Sequence, residues 1–242
     1  MRVTRQGGSY YNKQTERMAF MLTERIKVFV DFGLGDGYIG GSDAKGYFLD
    51  MGHSIKQRDY LEHKVSVLAE LGFNPSFKEE YKEDSYGKHF VKSRCYAKEA
   101  KTAHKYLYNK RTKRLDSALL RICDRKTLAY WFMDDGCVDH YNRSRTGDKV
   151  YVYETPFARS YRFATHSFSK EECLLFCEWM YERFNIRAKV NLQRGLPYIN
   201  ISQQRSKDVF RHIVEDYIVD SMQYKIKYPH SLKGIPYSVI TP

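Results

Sequence analysis

Residues 128–136 read L-A-Y-W-F-M-D-D-G, and residues 29–37 read F-V-D-F-G-L-G-D-G. Each is an apolar run that a core helix would accept, closed by a carboxylate and a glycine. Burying an unpaired carboxylate is costly. Asp36 in the first stretch, and Asp134 and Asp135 in the second, therefore need a use.

Working outward, the two stretches head two similar halves. After Asp36, K-G-Y-F-L-D-M-G-H-S-I alternates as a strand, and Tyr60, Leu61, Val65, Leu68 and Leu71 space as a helix closed by Gly72. After Asp135, V-Y-V-Y-E and Y-R-F-A-T-H-S-F read as strands. Ser169 with Glu172 then forms a capping box, opening a helix with Leu174, Leu175, Trp179, Met180 and Phe184. His53-Ser54 and His166-Ser167 recur at the strand end before each helix. A further hairpin follows in each half, turning near Asp84 to Gly87 and at Arg194-Gly195. Each half closes with a basic helix, A-K-T-A-H-K-Y-L-Y or S-K-D-V-F-R-H-I-V. The order helix, two strands, helix, two strands, helix occurs twice, which is the mark of a tandem duplication.

The chain of 242 residues carries 41 Lys+Arg against 29 Asp+Glu, a formal charge of +12, with 42% hydrophobic residues. That supports a packed core, excludes a disordered chain, and favours a polyanionic partner, the 21 tyrosines suiting a nucleic-acid groove. The five cysteines form no C-x-x-C pair and no zinc spacing, so a reducing compartment is expected. No run approaches the roughly 18 apolar residues of a membrane span, and residues 1–20 read as an extension. Gly35 to Gly40 formally fits G-x-G-x-x-G, but loop and strand follow where a dinucleotide site requires a helix.

If 25–35 and 125–134 are helices, Phe29, Phe32, Leu128, Trp131 and Phe132 pack them together, with Gly33 and Ala129 allowing close approach. Asp36 and Asp135 then meet at the helix ends. Adjacent carboxylates repel unless a cation lies between them. Oxygen donors suit Mg²⁺, which can stabilise both the attacking and the leaving oxygen of a phosphodiester.

These two stretches, and the repeated order over about residues 20–235, resemble the single-chain, two-motif LAGLIDADG homing endonucleases of the intron-encoded type. L-A-Y-W-F-M-D-D-G matches the second motif closely; F-V-D-F-G-L-G-D-G is a looser first motif. The resemblance implies an α+β fold of two pseudo-twofold-related αββαββα halves, 21–118 and 119–242. They pack through the motif helices, and each contributes an antiparallel sheet to a saddle astride DNA. It implies metal binding by Asp36 and Asp135, with Gly35 and Asp134 offering backbone carbonyls at most. Lys225, in Q-Y-K-I-K-Y-P, matches the segment bearing the active-site lysine. Lys113 is its counterpart in K-R-L-D, with Lys110 or Lys101 as alternatives. His53 and His166 fall near the active-site waters, where a satisfied strand-end histidine is an equal reading. Mg²⁺ is the implied cofactor, with Mn²⁺ expected to substitute and Ca²⁺ to bind without cleavage.

Strand positions alternating with the core face should read DNA. In the last hairpin, Val190, Leu192, Ile199 and Ile201 are expected to face the helices, leaving Lys189, Asn191, Gln193, Asn200 and Ser202 toward DNA. In the first half Lys92 and Arg94 alternate with Val91, Ser93 and Cys95. The loop 139–149 extends Arg143 and Arg145 toward phosphates. The expected activity is a double-strand break at a long asymmetric DNA site with 3′ overhangs. The protein is expected to act as an intracellular monomer with no membrane or obligate protein partner. The alternative is a maturase that binds its own intron RNA on the same scaffold; both retained carboxylates favour cleavage.

Overall fold

A computed structural model describes residues 23–82, 88–139, 141–146, 149–154, 158–226 and 238–240. The postulated extension 1–20 and the turn around Asp84 to Gly87 lie outside the described residues.

The first half begins with α1 (residues 23–33). Strands β1 (Tyr38–Ser42) and β2 (Gly46–Ser54) lead through a short 3₁₀ turn to α2 (Arg58–Glu70). Then come β3 (Lys78–Lys82), β4 (Lys88–Tyr96) and α3 (Lys98–Leu107). A small hairpin, β5 (Tyr108–Asn109) with β6 (Thr112–Lys113), and the short α4 (Ser117–Ile122) lead to the second half. There α5 (Arg125–Asp135) is followed by β7 (Gly136–Asp139), β8 (Tyr141–Thr146), β9 (Lys149–Glu154) and β10 (Ser160–Phe163). The remainder is α6 (Lys170–Phe184), β11 (Lys189–Gln193), β12 (Leu196–Ile201), α7 (Gln204–Glu215), a 3₁₀ turn at Asp220–Lys225, and β13 (Ser238–Ile240). Among the described residues no helix is long and apolar enough to cross a membrane.

The duplication is visible in the sheets. Both are four-stranded and antiparallel in their observed pairings, ordered β1-β2-β4-β3 and β7-β10-β12-β11. Strand alternation explains which face is covered: Leu49, Val91, Cys95, Tyr161, Phe163, Ile199 and Ile201 are buried, whereas Arg94, Tyr96 and Lys189 are exposed. The β11–β12 hairpin turns at Arg194 (φ 52°) and Gly195 (φ 80°), a left-handed pair whose twist matches the strands.

Helix α5 is buried from Thr127 to Asp134, so it has no polar stripe and must be wrapped on every side. Phe132 packs at 4.8 Å from Phe210 of α7, and Trp131 at 4.6 Å from Phe176 of α6. On the side facing the first half, Tyr130 meets Phe32 of α1 edge-to-face at 4.9 Å. Asp124 starts the helix by accepting from the N–H groups of Lys126 and Thr127, while Thr127 Oγ1 accepts in return from Asp124 N–H. The same Thr127 donates to Asp31 of α1 at 2.5 Å, and Lys27 bridges Asp31 and Asp124, stapling the two motif helices at this end.

Five expectations change, the first being that Trp131 and Phe132 pack against Phe176 of α6 and Phe210 of α7 in their own half rather than joining the two motif helices. V-Y-V-Y-E does not join the second main sheet; it forms β9 in a separate sheet ordered β13-β9-β8, and G-C-V-D takes its place as β7. The loop 139–149 is largely strand. Gly33 does not serve the contact between motif helices, because a Cβ there would meet Leu107 and Ile39 of its own half. Leu192 is 61% exposed rather than covered by the helices.

Candidate metal centre at the motif-helix ends

Both motif helices end in a tight exit. A Cβ on Gly37 would lie 2.1 Å from the Phe32 carbonyl oxygen, and one on Gly136 would lie 2.1 Å from Phe132 Cδ2. The glycine thus lets the chain leave the helix at once and strands the preceding aspartate at its C-terminus. That end carries the negative pole of the helix dipole, a poor place for a carboxylate without cations. Two lysines, one per half, cap these helix ends. Lys113 Nζ donates to the carbonyls of Gly37 at 3.0 Å, Leu34 at 3.3 Å and Gly35. Lys225 Nζ donates to the carbonyls of Met133 at 2.5 Å and Asp134 at 2.8 Å. Of the alternatives to Lys113, Lys101 pairs with Asp43 at 2.6 Å instead, and Lys110 lies exposed in the β5–β6 turn.

The helices approach most closely where the two motifs differ. A Cβ on Gly35 would lie 2.4 Å from the Asp134 Cβ, so a side chain at 134 requires none at 35. Asp134 is buried, and its side chain, expected to be dispensable, stands at the hub of the site. Its Oδ1 accepts from Lys64 Nζ at 2.7 Å and Tyr60 OH at 2.9 Å, and its Oδ2 accepts from the Asp36 N–H at 3.2 Å. The carbonyls of Gly35 and Asp134, expected to offer oxygens to a metal, are engaged by the lysines.

Asp36, His53 and Asp134 bring ligand atoms within 4.8 Å of one another. Burial, and then Asp134, raise the Asp36 pKa; burial, and then Asp36 and Asp134, push Asp135 up to about 6. Asp135 Oδ2 also accepts from Trp131 Nε1 at 3.2 Å. Burial lowers the pKa of Lys113 and of Lys225. His53 is brought down to about 4 by burial and by Lys64, so its imidazole is neutral at physiological pH. Its counterpart His166 is exposed and stands apart from this cluster. The grouping of Asp36, His53 and Asp134 joins two carboxylates to one imidazole and does not include Asp135, which is tied to it by its electrostatic interaction with Asp36; the carboxylate oxygens fit a hard divalent cation such as Mg²⁺.

Beside Asp36 opens a groove of 640 Å³ whose lining includes Tyr38, Asp50, Lys78, Lys92 and Arg94. Arg94 forks onto Asp50 at 2.5 and 2.6 Å and lies 4.3 Å from the Phe48 ring, while Lys92 pairs with Glu80. On the second sheet, Lys189 faces Asn200 across the ladder, and Asn191 Nδ2 donates to Tyr198 OH at 3.3 Å. Asn200 is half-buried, and Gln193 is exposed near the hairpin tip. Ser202 lies past β12 and lines, with Lys189, a cleft against Cys177 and Tyr181 of α6. Arg143 and Arg145 fall on β8, and their side chains lie outside the described residues.

Sequence reasoning missed Lys64 and gave Tyr60 only as a core residue of the helix. The signal was available: Tyr60, Lys64 and Leu68 recur every four residues on the buried face of α2, so a lysine sat at a core position. It also missed Arg162, which alternates with buried Tyr161 and Phe163 and pairs with Asp139.

A model of the LAGLIDADG DNA endonuclease family matches residues 32–209, from within α1 to within α7, and so spans both motif ends and both main sheets. A protein of Wickerhamomyces canadensis named probable intron-encoded endonuclease 1 is 28% identical over 197 residues, covering 80% of this chain and 79% of its own. The fold is similar to that of the homing endonuclease I-WcaI bound to its DNA recognition sequence. The TM-score is 0.67 at 21% identity, over 93% of this chain and 96% of that one. With paired sheets, paired motif helices and acidic helix ends in the matched region, the chain belongs to the LAGLIDADG DNA endonuclease family and is an endodeoxyribonuclease.

Proposed function

We propose that the protein is a homing endonuclease that cuts both strands of one long, asymmetric DNA site, with Mg²⁺, leaving 3′ overhangs. The observation that carries this reading is the convergence of Asp36, Asp134 and Asp135 with Lys113 and Lys225 where the two motif helices end. Asp36 and Asp135 present the oxygens that would hold the metal. When bound, the ion neutralises their mutual repulsion and the charge that develops on the phosphate. Lys113 and Lys225, held by their bonds to the motif-helix carbonyls, place a positive charge beside each half's reacting phosphate. Trp131 steers Asp135 through its indole N–H.

The sheets supply the binding face, with Lys92 and Arg94 on one and Lys189, Asn191, Gln193 and Asn200 on the other; Ser202, Arg143 and Arg145 are further proposed DNA contacts. Arg94 and Lys92 exchange their acidic partners for phosphate or base edges. The halves, 21–118 and 119–242, differ in sequence, so the site they read is not a palindrome, and one chain suffices as a monomer. The intron-encoded relative supports a gene carried by a mobile intron. Retention of both carboxylates with a lysine in each half favours cleavage over an RNA-binding role.

The test is incubation with DNA bearing the intronless form of the host gene, in Mg²⁺ or EDTA, alongside Asp36→Asn and Asp135→Asn. The wild type should make one metal-dependent double-strand break, and each substitution should abolish it. Absence of such a break, or full cleavage by both variants, overturns the reading.

A further inference from the structure

The centre is not symmetric, and its asymmetry lies in how each carboxylate is held. Lys64 is a wholly buried ammonium on α2, with its Nζ 2.7 Å from Asp134 Oδ1 and 3.3 Å from His53 Nε2. An ammonium has donors and no acceptor. His53 Nε2 must therefore accept from it, which puts the imidazole hydrogen on Nδ1. That Nδ1 faces Asp36 Oδ2 at 3.9 Å. Asp134, held by the same lysine, accepts the Asp36 backbone N–H through its other oxygen. Asp36 is thus bonded at its N–H to a carboxylate that Lys64 holds, and its own carboxylate faces, beyond hydrogen-bond reach, an imidazole that Lys64 and Gln57 together orient. Asp135 is steered instead by Trp131 Nε1, and its own half presents an exposed histidine, His166, at the matching position.

We infer that Lys64 is the positioning residue of the first-half carboxylate: it locks Asp134 and the Nδ1–H tautomer of His53, and through both it fixes Asp36 but not Asp135. The consequence for cleavage rests on the endonuclease reading above, in which each half, with its own carboxylate and lysine, serves one DNA strand. Loss of Lys64 then slows one strand selectively. Removal of outer partners of metal ligands lowers affinity or rate by roughly 10–100-fold, and that is the loss expected on the first-half strand, with the other strand changed little.

The experiment uses the full chain with ¹⁵N-labelled histidine. Long-range ¹H–¹⁵N spectra of the metal-free protein report the His53 tautomer; strand-specific end labels report each nicking rate under saturating DNA and Mg²⁺. Lys64→Met leaves Asp134 as a buried, unpaired charge and so threatens the fold. Lys64→Met/Asp134→Asn, which removes both charges, therefore carries the same readouts. In the wild type His53 should be the Nδ1–H form, and in both variants it should become mixed. The ratio of the two nicking rates should shift by about 10-fold or more while DNA affinity holds. A wild-type Nε2–H tautomer, an unchanged tautomer in the double variant, or equal slowing of both strands overturns the inference. If the wild type cuts no DNA, it is the endonuclease reading that fails, and the spectra still decide whether Lys64 sets the tautomer.

Discussion

Asp135 is the group through which the metal-free fold should reveal its stored repulsion. Its carboxyl sits at about 6 in the folded chain, raised first by burial and then by Asp36 and Asp134, against an ordinary value of 3.8. The folded state therefore holds this proton more tightly than the unfolded chain does. The stabilisation is complete below the unfolded value and is lost as pH rises through about 6. A shift of this size corresponds to about 2–3 kcal/mol. Asp135→Asn has no charge to lose and, through its Oδ1, can still accept from Trp131. Urea unfolding in EDTA, followed by fluorescence, should thus find the variant gaining about 2–3 kcal/mol on the wild type between pH 4 and pH 7. Because Asp36 and Asp134 add to the effect of burial on Asp135, the difference includes their repulsion. Mg²⁺ should recover most of this loss for the wild type at pH 7 and do little at pH 4. A stability difference that is flat with pH, or one that moves in favour of the wild type, would refute the account of the centre as carboxylates pressed together.

Three further outcomes follow from particular contacts. Gly35→Ala places a Cβ 2.4 Å from the Asp134 Cβ and should cost about 1–3 kcal/mol, so an unchanged urea midpoint would mean the helices do not meet there. Phe210→Ala removes a wholly buried ring from contact with Phe132, Tyr161 and Phe163, and should lower unfolding free energy by about 3–5 kcal/mol; a much smaller loss would show that α7 packs loosely on α5. DNA affinity should fall steeply with salt, and Arg94→Ala should flatten the slope of log K against log salt by about 0.9 if Arg94 meets one phosphate. An unchanged slope would place Arg94 off the DNA backbone.

The paired elements were legible because each carries its own local signature: alternation in β2, β4, β11 and β12, and Ser169 with Glu172 opening α6. The motif glycines likewise announced helix ends, since a sharp exit leaves few other residues possible. V-Y-V-Y-E was misplaced for a physical reason. Alternation establishes a strand but not its partner, and the four residues of β7 adjoining Asp135 were too short to display a period. Gly33 was assigned to the wrong contact because a glycine shows that something comes close without showing what. The hub around Asp134 stayed hidden for a similar reason. Comparing the two motifs position by position made Asp134 an unmatched extra, whereas its partners, Tyr60 and Lys64, lie on another helix.

That unmatched position carries a structural consequence of its own. A strict duplication would place the same residue at 35 and 134, and no pair of identical side chains larger than glycine fits the 2.4 Å spacing seen there. Two glycines would fit but would leave Lys64, wholly buried, with no carboxylate. The pair Gly35 and Asp134 solves both constraints: one half yields the space, and the other fills it with the counter-charge. The asymmetry of the centre then follows from packing at the pseudo-twofold axis, where the two copies of one sequence element compete for a single volume. Reciprocal exchange, Gly35→Asp with Asp134→Gly, would put the carboxylate on the wrong side of the axis, away from α2. The buried Lys64 would be left unpaired, a loss of about 3–5 kcal/mol by the usual cost of breaking a buried pair. Stability close to that of the wild type in the exchanged protein would show that the axis, and not α2, determines where the charge belongs.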